Sequence, residues 1–325
     1  MKIVFIHQGT SWYLPYALYQ AKSSSPDSEI VLLGQRSSFK DISGVIFEEL
    51  QGSRQEIDFR KAYIHLSTNS ESFELICYLR WFYLLRYMQL SNTDKVFCFD
   101  SDVLLYSPIA EIMDCYDLEN MDCGYLLFGE EPGYFAATGC MSFWTRGALE
   151  KFCNFMVEAY CQERHLKKLK DFWREHSSAG RPGGVCDMTV LYMFWQENQV
   201  RVANLIVDQR RNIFDPNINE VGDSRLGEFE VVNGWKKVKI IDQKPIFFRI
   251  RPSKEMVRAH VLHFQGEAKG HMALFYTGKY FEGKPASDVI AFFYRLRKNV
   301  RDTLRNWGIT GFIKRTLRWK RTVKA

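Results

Sequence analysis

Short apolar runs alternate with longer helical stretches from the first residues of this chain, and that alternation restricts it to a sheet layered between helices. Residues 2–6 read as a buried strand; Gly9, Thr10 and Ser11 form a turn and helix start, and a helix follows over 12–20. Residues 29–33, set between Pro26-Asp27 and Gly34, are a second strand, so the chain opens as β-α-β. A long helix over 71–90 with an apolar stripe leads through the turn Asn92-Thr93-Asp94 into another buried strand, 95–99. The expected class is α/β, a mostly parallel sheet flanked by helices. Ligands of such sheets gather beyond the carboxyl ends of the strands.

Further strands are expected over 123–128 and 138–144, joined by a polar turn at 129–133, with helices over 147–161 and, after the glycine-rich break at 180–184, over 186–197. A hairpin over 229–241 centred on Asn233-Gly234 makes the C-terminal third partly antiparallel. With 325 residues, 46% apolar and 15% aromatic, the chain buries a large core, which excludes disorder as its main state. No run of about 20 apolar residues occurs, because even 76–88 is interrupted by Arg80 and Arg86. The apolar start at 1–6 is too short for a signal-peptide core, so a cytoplasmic location is expected. Eight cysteines are scattered without a C-x-x-C pair and read as reduced core residues rather than a thiolate zinc site or disulfide framework.

Chemistry concentrates at two strand ends. The strand 95–99 runs directly into Asp100-Ser101-Asp102, two acids that repel each other and are readily explained if a hard cation neutralises them. Mg²⁺ or Mn²⁺ held by one or two carboxylates and completed by substrate phosphates is the usual arrangement; an ordinary acidic turn is the alternative. Downstream, His263 ends an apolar strand and is followed by Gly266 and Lys269, a possible third metal ligand and a cationic partner for phosphate in one short loop. A core histidine and a solvated lysine are the plainer reading. His7 and Gln8 fall at the end of the first strand, where they are placed to touch a nucleotide base or to cap the next helix, and Trp12 and Tyr13 either stack on that base or belong to the core.

Taken together, these residues resemble the family 8 retaining glycosyltransferases, whose fold is known as GT-A. The matching order is Arg80 on a helix, Asp100-Ser101-Asp102 at a strand end, the glycine-containing strand Thr138-Gly139-Cys140-Met141, Asp187 before a helix, and His263, Gly266 and Lys269 near the C-terminus. The resemblance spans roughly residues 1–275 and implies a Rossmann-like GT-A domain over 1–285. By it, Asp100, Asp102 and His263 bind Mn²⁺ or Mg²⁺, Lys269 contacts the diphosphate, and Arg80 reaches a nucleotide-sugar donor, of which UDP-sugars are the expected kind. Ser101 and Gly266 belong to the same donor site. Asp187 orients sugar hydroxyls or stabilises the oxocarbenium-like centre; an acid favoured by a helix dipole is the alternative. The chain departs from the family at Met188, where an amide is usual, and after Lys269, where Gly270-His271 replaces Pro-Trp. Metal chemistry therefore transfers better than acceptor identity. The implied activity is transfer of a sugar to a glycan or glycolipid with retention, though Glu130, Glu131 or Glu267 as a base would suit inversion. Two rivals stand beside it: a non-catalytic nucleotide-sugar-binding protein on the same fold, and a metal-dependent nucleotidyl or phosphoryl transferase, for which no glycine-rich phosphate loop speaks.

Charge is segregated. Between residues 295 and 325 lie seven Arg and four Lys against Asp302 alone, a net +10 in a chain whose total is +6. Phe293, Leu296, Val300, Leu304 and Trp307 share one helical face, and Ile309, Phe312, Ile313 and Leu317 share another, each with basic residues around it. Residues 286–325 thus read as a basic amphipathic helical tail that places the protein peripherally on anionic membranes, or else docks on the acidic body. Nothing in the body resembles a nucleic-acid module, so no nucleic-acid partner is expected.

Overall fold

A computed structural model describes residues 1–9, 11–35, 42–128, 137–197, 199–219, 227–232, 234–250 and 255–278. Its first half comprises β1 (Lys2–His7), α1 (Leu14–Ser24), β2 (Glu29–Gly34), β3 (Ile46–Glu49), α2 (Arg54–Ala62), α3 (Glu71–Leu90), β4 (Lys95–Phe99), β5 (Val103–Leu105), α4 (Ile109–Cys115), β6 (Cys123–Leu127) and β7 (Ala137–Thr145). The second half adds α5 (Arg146–Cys161), α6 (Glu163–Ser178), α7 (Asp187–Gln196), β8 (Val202–Asn204), β9 (Asn212–Phe214), β10 (Val231–Val232), β11 (Trp235–Lys236), β12 (Val238–Ile241), β13 (Lys244–Phe248), β14 (Met256–His263) and α8 (Met272–Phe275).

The main sheet runs β3-β2-β1-β4-β7-β6-β8. Strands β3, β2, β1 and β4 are parallel neighbours, β7 is antiparallel to both β4 and β6, and β6 is parallel to β8. The architecture is therefore α/β with a mostly parallel sheet, as the alternating pattern predicts. Burial on both faces explains the unbroken apolar runs. Ile3 and Phe5 of β1 with Phe97 and Phe99 of β4 enter one core cluster, shared with α1, α4 and the second sheet. Val4, Val96 and Cys98 enter the opposite cluster under α3, α5 and α7. Each fully buried Phe contributes about 2 kcal/mol relative to exposure, so the period-2 alternation fixes register strongly.

Caps set the helix starts. Ser70 accepts from Phe73 N at the head of α3, and Thr145, the last residue of β7, accepts from Ala148 N, so strand passes into helix without a loop. At α7, Cys186 and Thr189 form a reciprocal capping box. Helix α1 begins at Leu14 rather than residue 12, because Pro15 is pre-set for the first turn; Trp12 and Tyr13 pack partly buried against the core.

The C-terminal third departs from the single expected hairpin. Among the described residues, β10 and β11 pair across position 234 and Lys237 N–H donates to the Glu230 carbonyl at 2.7 Å, while residues 238–241 turn instead through Asp242 and Gln243 onto β13. A second sheet, β12-β13-β14-β5, is antiparallel, with β9 added parallel to β14. Among the described residues no helix is long and apolar enough to cross a membrane. The expected tail, residues 286–325, and the turn carrying Glu130 and Glu131 lie outside the described residues.

Candidate active site

The carboxyl ends of β1 and β4, the N-terminus of α7, one face of α3 and the turn after β14 enclose a cleft of about 660 Å³. Each element delivers what the sequence singled out: His7 and Gln8 from β1, Asp100, Ser101 and Asp102 after β4, Arg80 from α3, Asp187 from α7, and His263, Gly266 and Lys269 from the β14 turn. Register explains how residues so distant in sequence meet. β14 pairs with β5 so that His263 lies opposite Val103, one residue beyond Asp102, and Phe264 N–H donates to the Asp102 carbonyl at 2.9 Å. Gly266 has φ +60°, which favours glycine and lets the chain turn there.

The two acids of the Asp-Ser-Asp segment take different partners. Arg80 Nη1 donates to Asp100 Oδ1 at 2.5 Å, and its Nη2 donates to Asp187 Oδ2 at 2.8 Å. Asp102 Oδ1 lies 3.4 Å from His263 Nε2 and Oδ2 lies 3.0 Å from Lys269 Nζ. Arg80, expected to reach a donor, therefore already bridges two carboxylates. Desolvation in the cleft pushes the Asp100 carboxyl up to about 6 against the pull of Arg80, and the neighbouring Asp102 charge adds to the rise. For Asp102, burial works the other way from its partners, and His263 with Lys269 holds it well below the usual carboxylate range. Burial likewise opposes charge on His263, yet Cys140 and Asp102 raise the imidazole well above its ordinary value.

On the other wall, Asp187 is 4% exposed and receives a second donor on the same oxygen, Trp81 Nε1–H at 2.9 Å. The Arg80 guanidinium lies 4.5 Å from the Trp81 ring centroid. A Cβ at Gly139 would stand 2.5 Å from Trp81, so the glycine of β7 is required by this packing. Trp81 was not singled out in the sequence, where a tryptophan inside an apolar helix reads as core. Glu74, 1% exposed, also lines the cleft and accepts from Ser67 Oγ at 2.7 Å and Asn69 Nδ2 at 2.8 Å. Glu267, named as a possible base, is exposed and lies off the cleft lining.

At the β1 end, His7 Nδ1 lies 3.0 Å from Ser101 Oγ, and burial lowers the pKa of the ring. The N-cap residue of helix α1, Tyr13, makes no side-chain capping bond. Tyr13 borders the cleft with Lys269 Nζ 5.6 Å from its ring centroid.

Among the described residues no group of three or more His, Cys, Asp or Glu is gathered as a metal cluster. The expected trio is split: Asp102 and His263 face each other, whereas Asp100 is turned to Arg80. The donor chemistry nonetheless suits a hard cation: two carboxylates one residue apart, plus an imidazole. The His263 Nδ1 lies 2.7 Å from the Pro216 carbonyl and 3.7 Å from Cys140 Sγ, so it donates to the carbonyl and directs Nε2 to Asp102, the orientation in which a histidine usually binds a metal.

No protein-family model matches the chain, and no curated protein does. Solved structures do. The chain is similar to the galactosyltransferase LgtC, crystallised with donor and acceptor sugar analogues, at 16% identity and TM-score 0.44 over 90% of this chain and 96% of that one. It is also similar to mouse xyloside xylosyltransferase 1 (11% identity, TM-score 0.43, 66% of this chain and 88% of that one). GlyE of Streptococcus pneumoniae, a glycosyltransferase, matches at 15% identity and TM-score 0.37 over 63% of this chain and 44% of that one.

Proposed function

We propose that the chain is a glycosyltransferase that moves a sugar from a nucleotide-diphosphate donor, of UDP type, to a glycan or glycolipid acceptor. The observation that carries this reading is the pairing, across one cleft, of an acid-imidazole-ammonium cluster at Asp102, His263 and Lys269 with a buried carboxylate, Asp187, held by Arg80 and Trp81. The first suits a diphosphate and its cation; the second suits a sugar ring. Asp100, Asp102 and His263 would hold Mn²⁺, which when bound supplies Lewis-acid stabilisation of the leaving diphosphate.

In the reaction the bond between the anomeric carbon and a phosphate oxygen breaks, and the acceptor oxygen forms the new bond. Lys269 stabilises the charge developing on the leaving diphosphate. Asp187, its orientation fixed by two donors on one oxygen, holds sugar hydroxyls or faces the positive anomeric centre. The acceptor proton passes to the leaving diphosphate, which corresponds to front-face delivery and retention. Met188 supplies no amide beneath the sugar, so Asp187 is the polar group α7 offers there.

The first test is hydrolysis of a nucleotide-sugar panel with and without Mn²⁺. Turnover is expected only with the metal, and Asp102→Asn should lower it roughly a hundredfold or more. Because Asp102 is buried between His263 and Lys269, the same change is also expected to lower the thermal midpoint, so activity is compared at a temperature where the variant is folded by circular dichroism. Absence of any Mn²⁺-dependent stabilisation by nucleoside diphosphates would sink the reading. Proton NMR of the first-formed linkage tests stereochemistry: an α product from an α-linked donor is expected, and a β product rules out retention.

A further inference from the structure

We infer that the buried Lys236–Asp215 ion pair is a positioning device that fixes His263 for the cation site, an inference resting on the metal reading proposed above. Neither residue borders the cleft, and both are removed from water: the side chains are 3% and 0% exposed, with Lys236 Nζ donating to Asp215 Oδ1 at 2.5 Å. Burying two charges in this way is a poor source of stability, because well-packed apolar residues of similar size usually serve as well. Its position suggests another use.

Asp215 begins a strap, residues 215–219, laid against the end of β14. The Pro216 carbonyl accepts from His263 Nδ1 at 2.7 Å, and Ile218 N–H donates to the His263 carbonyl at 3.0 Å. Lys236 grips the same strap twice, through its ammonium on Asp215 and through its backbone N–H on the Ile218 carbonyl at 3.0 Å. Asn217 Nδ2 adds a bond to Gln265 Oε1 at 3.3 Å, just past the histidine. His263 is thus held at both its ring and its backbone by a strap whose own anchor is Lys236. The ring bond matters most chemically. With Nδ1–H committed to a carbonyl, Nε2 is the nitrogen presented to Asp102, at 3.4 Å. Outer-shell partners of this kind typically affect metal affinity tenfold to a hundredfold when removed.

The test uses the full chain, Mn²⁺ alone as the probe, and calorimetry. The double variant Lys236→Met/Asp215→Leu removes both charges at similar volume, so it should fold with a thermal midpoint close to wild type. Its Mn²⁺ affinity should fall roughly tenfold or more. In a His263→Gln background the same double change should cost nothing further, because the two act through one group. A metal-free readout accompanies it: the slowly exchanging Nδ1 proton of His263 should be visible by NMR in the wild type and lost in the double variant. Should the double variant fail to fold, Asp215→Asn keeps an acceptor for Lys236 and is expected to show a partial loss in both readouts. Unchanged Mn²⁺ affinity together with an unchanged Nδ1 signal overturns the inference, as does an equal loss with and without His263. A wild-type chain that binds no Mn²⁺ overturns the metal reading itself, and the positioning role toward a cation falls with it.

Discussion

Gly139 and Trp81 show how a single missing methyl group can set the geometry of a carboxylate. Trp81 lies so close to β7 that a Cβ at position 139 would come within 2.5 Å of its ring, and the indole N–H is one of two donors to Asp187. Gly139→Ala should therefore displace Trp81, destabilise the fold by about 1–3 kcal/mol through overpacking, and weaken donor binding. Trp81→Phe removes the donor without overpacking: Asp187 loses one bond and a small cavity is left, so donor affinity should drop along with a lower denaturation midpoint. Gly139→Ala, by contrast, keeps the indole and only displaces it. If Trp81→Phe binds UDP-sugar as the wild type does, Asp187 needs only Arg80. At this scale the sequence was partly legible. Asp100, Asp102, His263, Lys269 and Asp187 stand at ends of strongly patterned segments and could be picked out there. Their partners could not, because which acid meets Arg80 and which meets His263 depends on the β5–β14 register, and β5 is only three residues long.

At the scale of elements, the strands of the first sheet were legible because both their faces are buried and their ends carry turn residues. The second sheet was not. Its β12–β13 turn places Asp242 and Gln243 at φ +49° and +63° without the Asn-Gly or Asp-Gly pair that usually marks such turns. Helix α6 was missed because its apolar positions, Leu166, Leu169, Phe172 and Trp173, are diluted by charge on the exposed face. The second sheet also holds a titratable group that reports on its integrity. His260 of β14 is 0% exposed, its Nδ1 lies 2.7 Å from Ser107 Oγ, and Arg258, Glu111 and Lys244 are the charged groups acting on it. Burial, reinforced by Arg258, lowers its pKa to about 4 from 6.5. The unfolded chain therefore binds the proton first as pH falls, so stability contributed by the neutral ring is fully present above the unfolded value. It is lost progressively as pH drops from 6.5 to about 4, by at most about 3 kcal/mol. Urea denaturation at pH 7.5 and 4.5 should show this loss in the wild type and a shallower one in His260→Gln. Equal losses would assign the acid sensitivity to other groups.

For the whole molecule, charge separation along the chain is the feature that the cleft does not use. Residues 295–325 carry a net +10 against a chain total of +6, leaving the rest acidic. An amphipathic basic segment with Trp307 and Trp319 suits an anionic lipid surface, where each Lys or Arg near the headgroups contributes about 1 kcal/mol at moderate salt. On the proposed reading, such a segment would bring the protein to a glycolipid acceptor lying in the same surface. Deleting residues 308–325 removes Lys314, Arg315, Arg318, Lys320, Arg321 and Lys324 together with Trp319. Six such charges account for several orders of magnitude in partitioning, so the shortened chain should stay in the supernatant when spun with phosphatidylserine vesicles that pellet the intact chain. Raising salt shortens the Debye length from about 10 Å at 0.1 M toward 3 Å at 1 M, and binding of the intact chain should weaken in step. The cleft lies in a different part of the chain, so donor hydrolysis should be the same in both forms. If the shortened chain pellets equally, or if it loses donor hydrolysis as well, the tail belongs to the folded body rather than to the membrane.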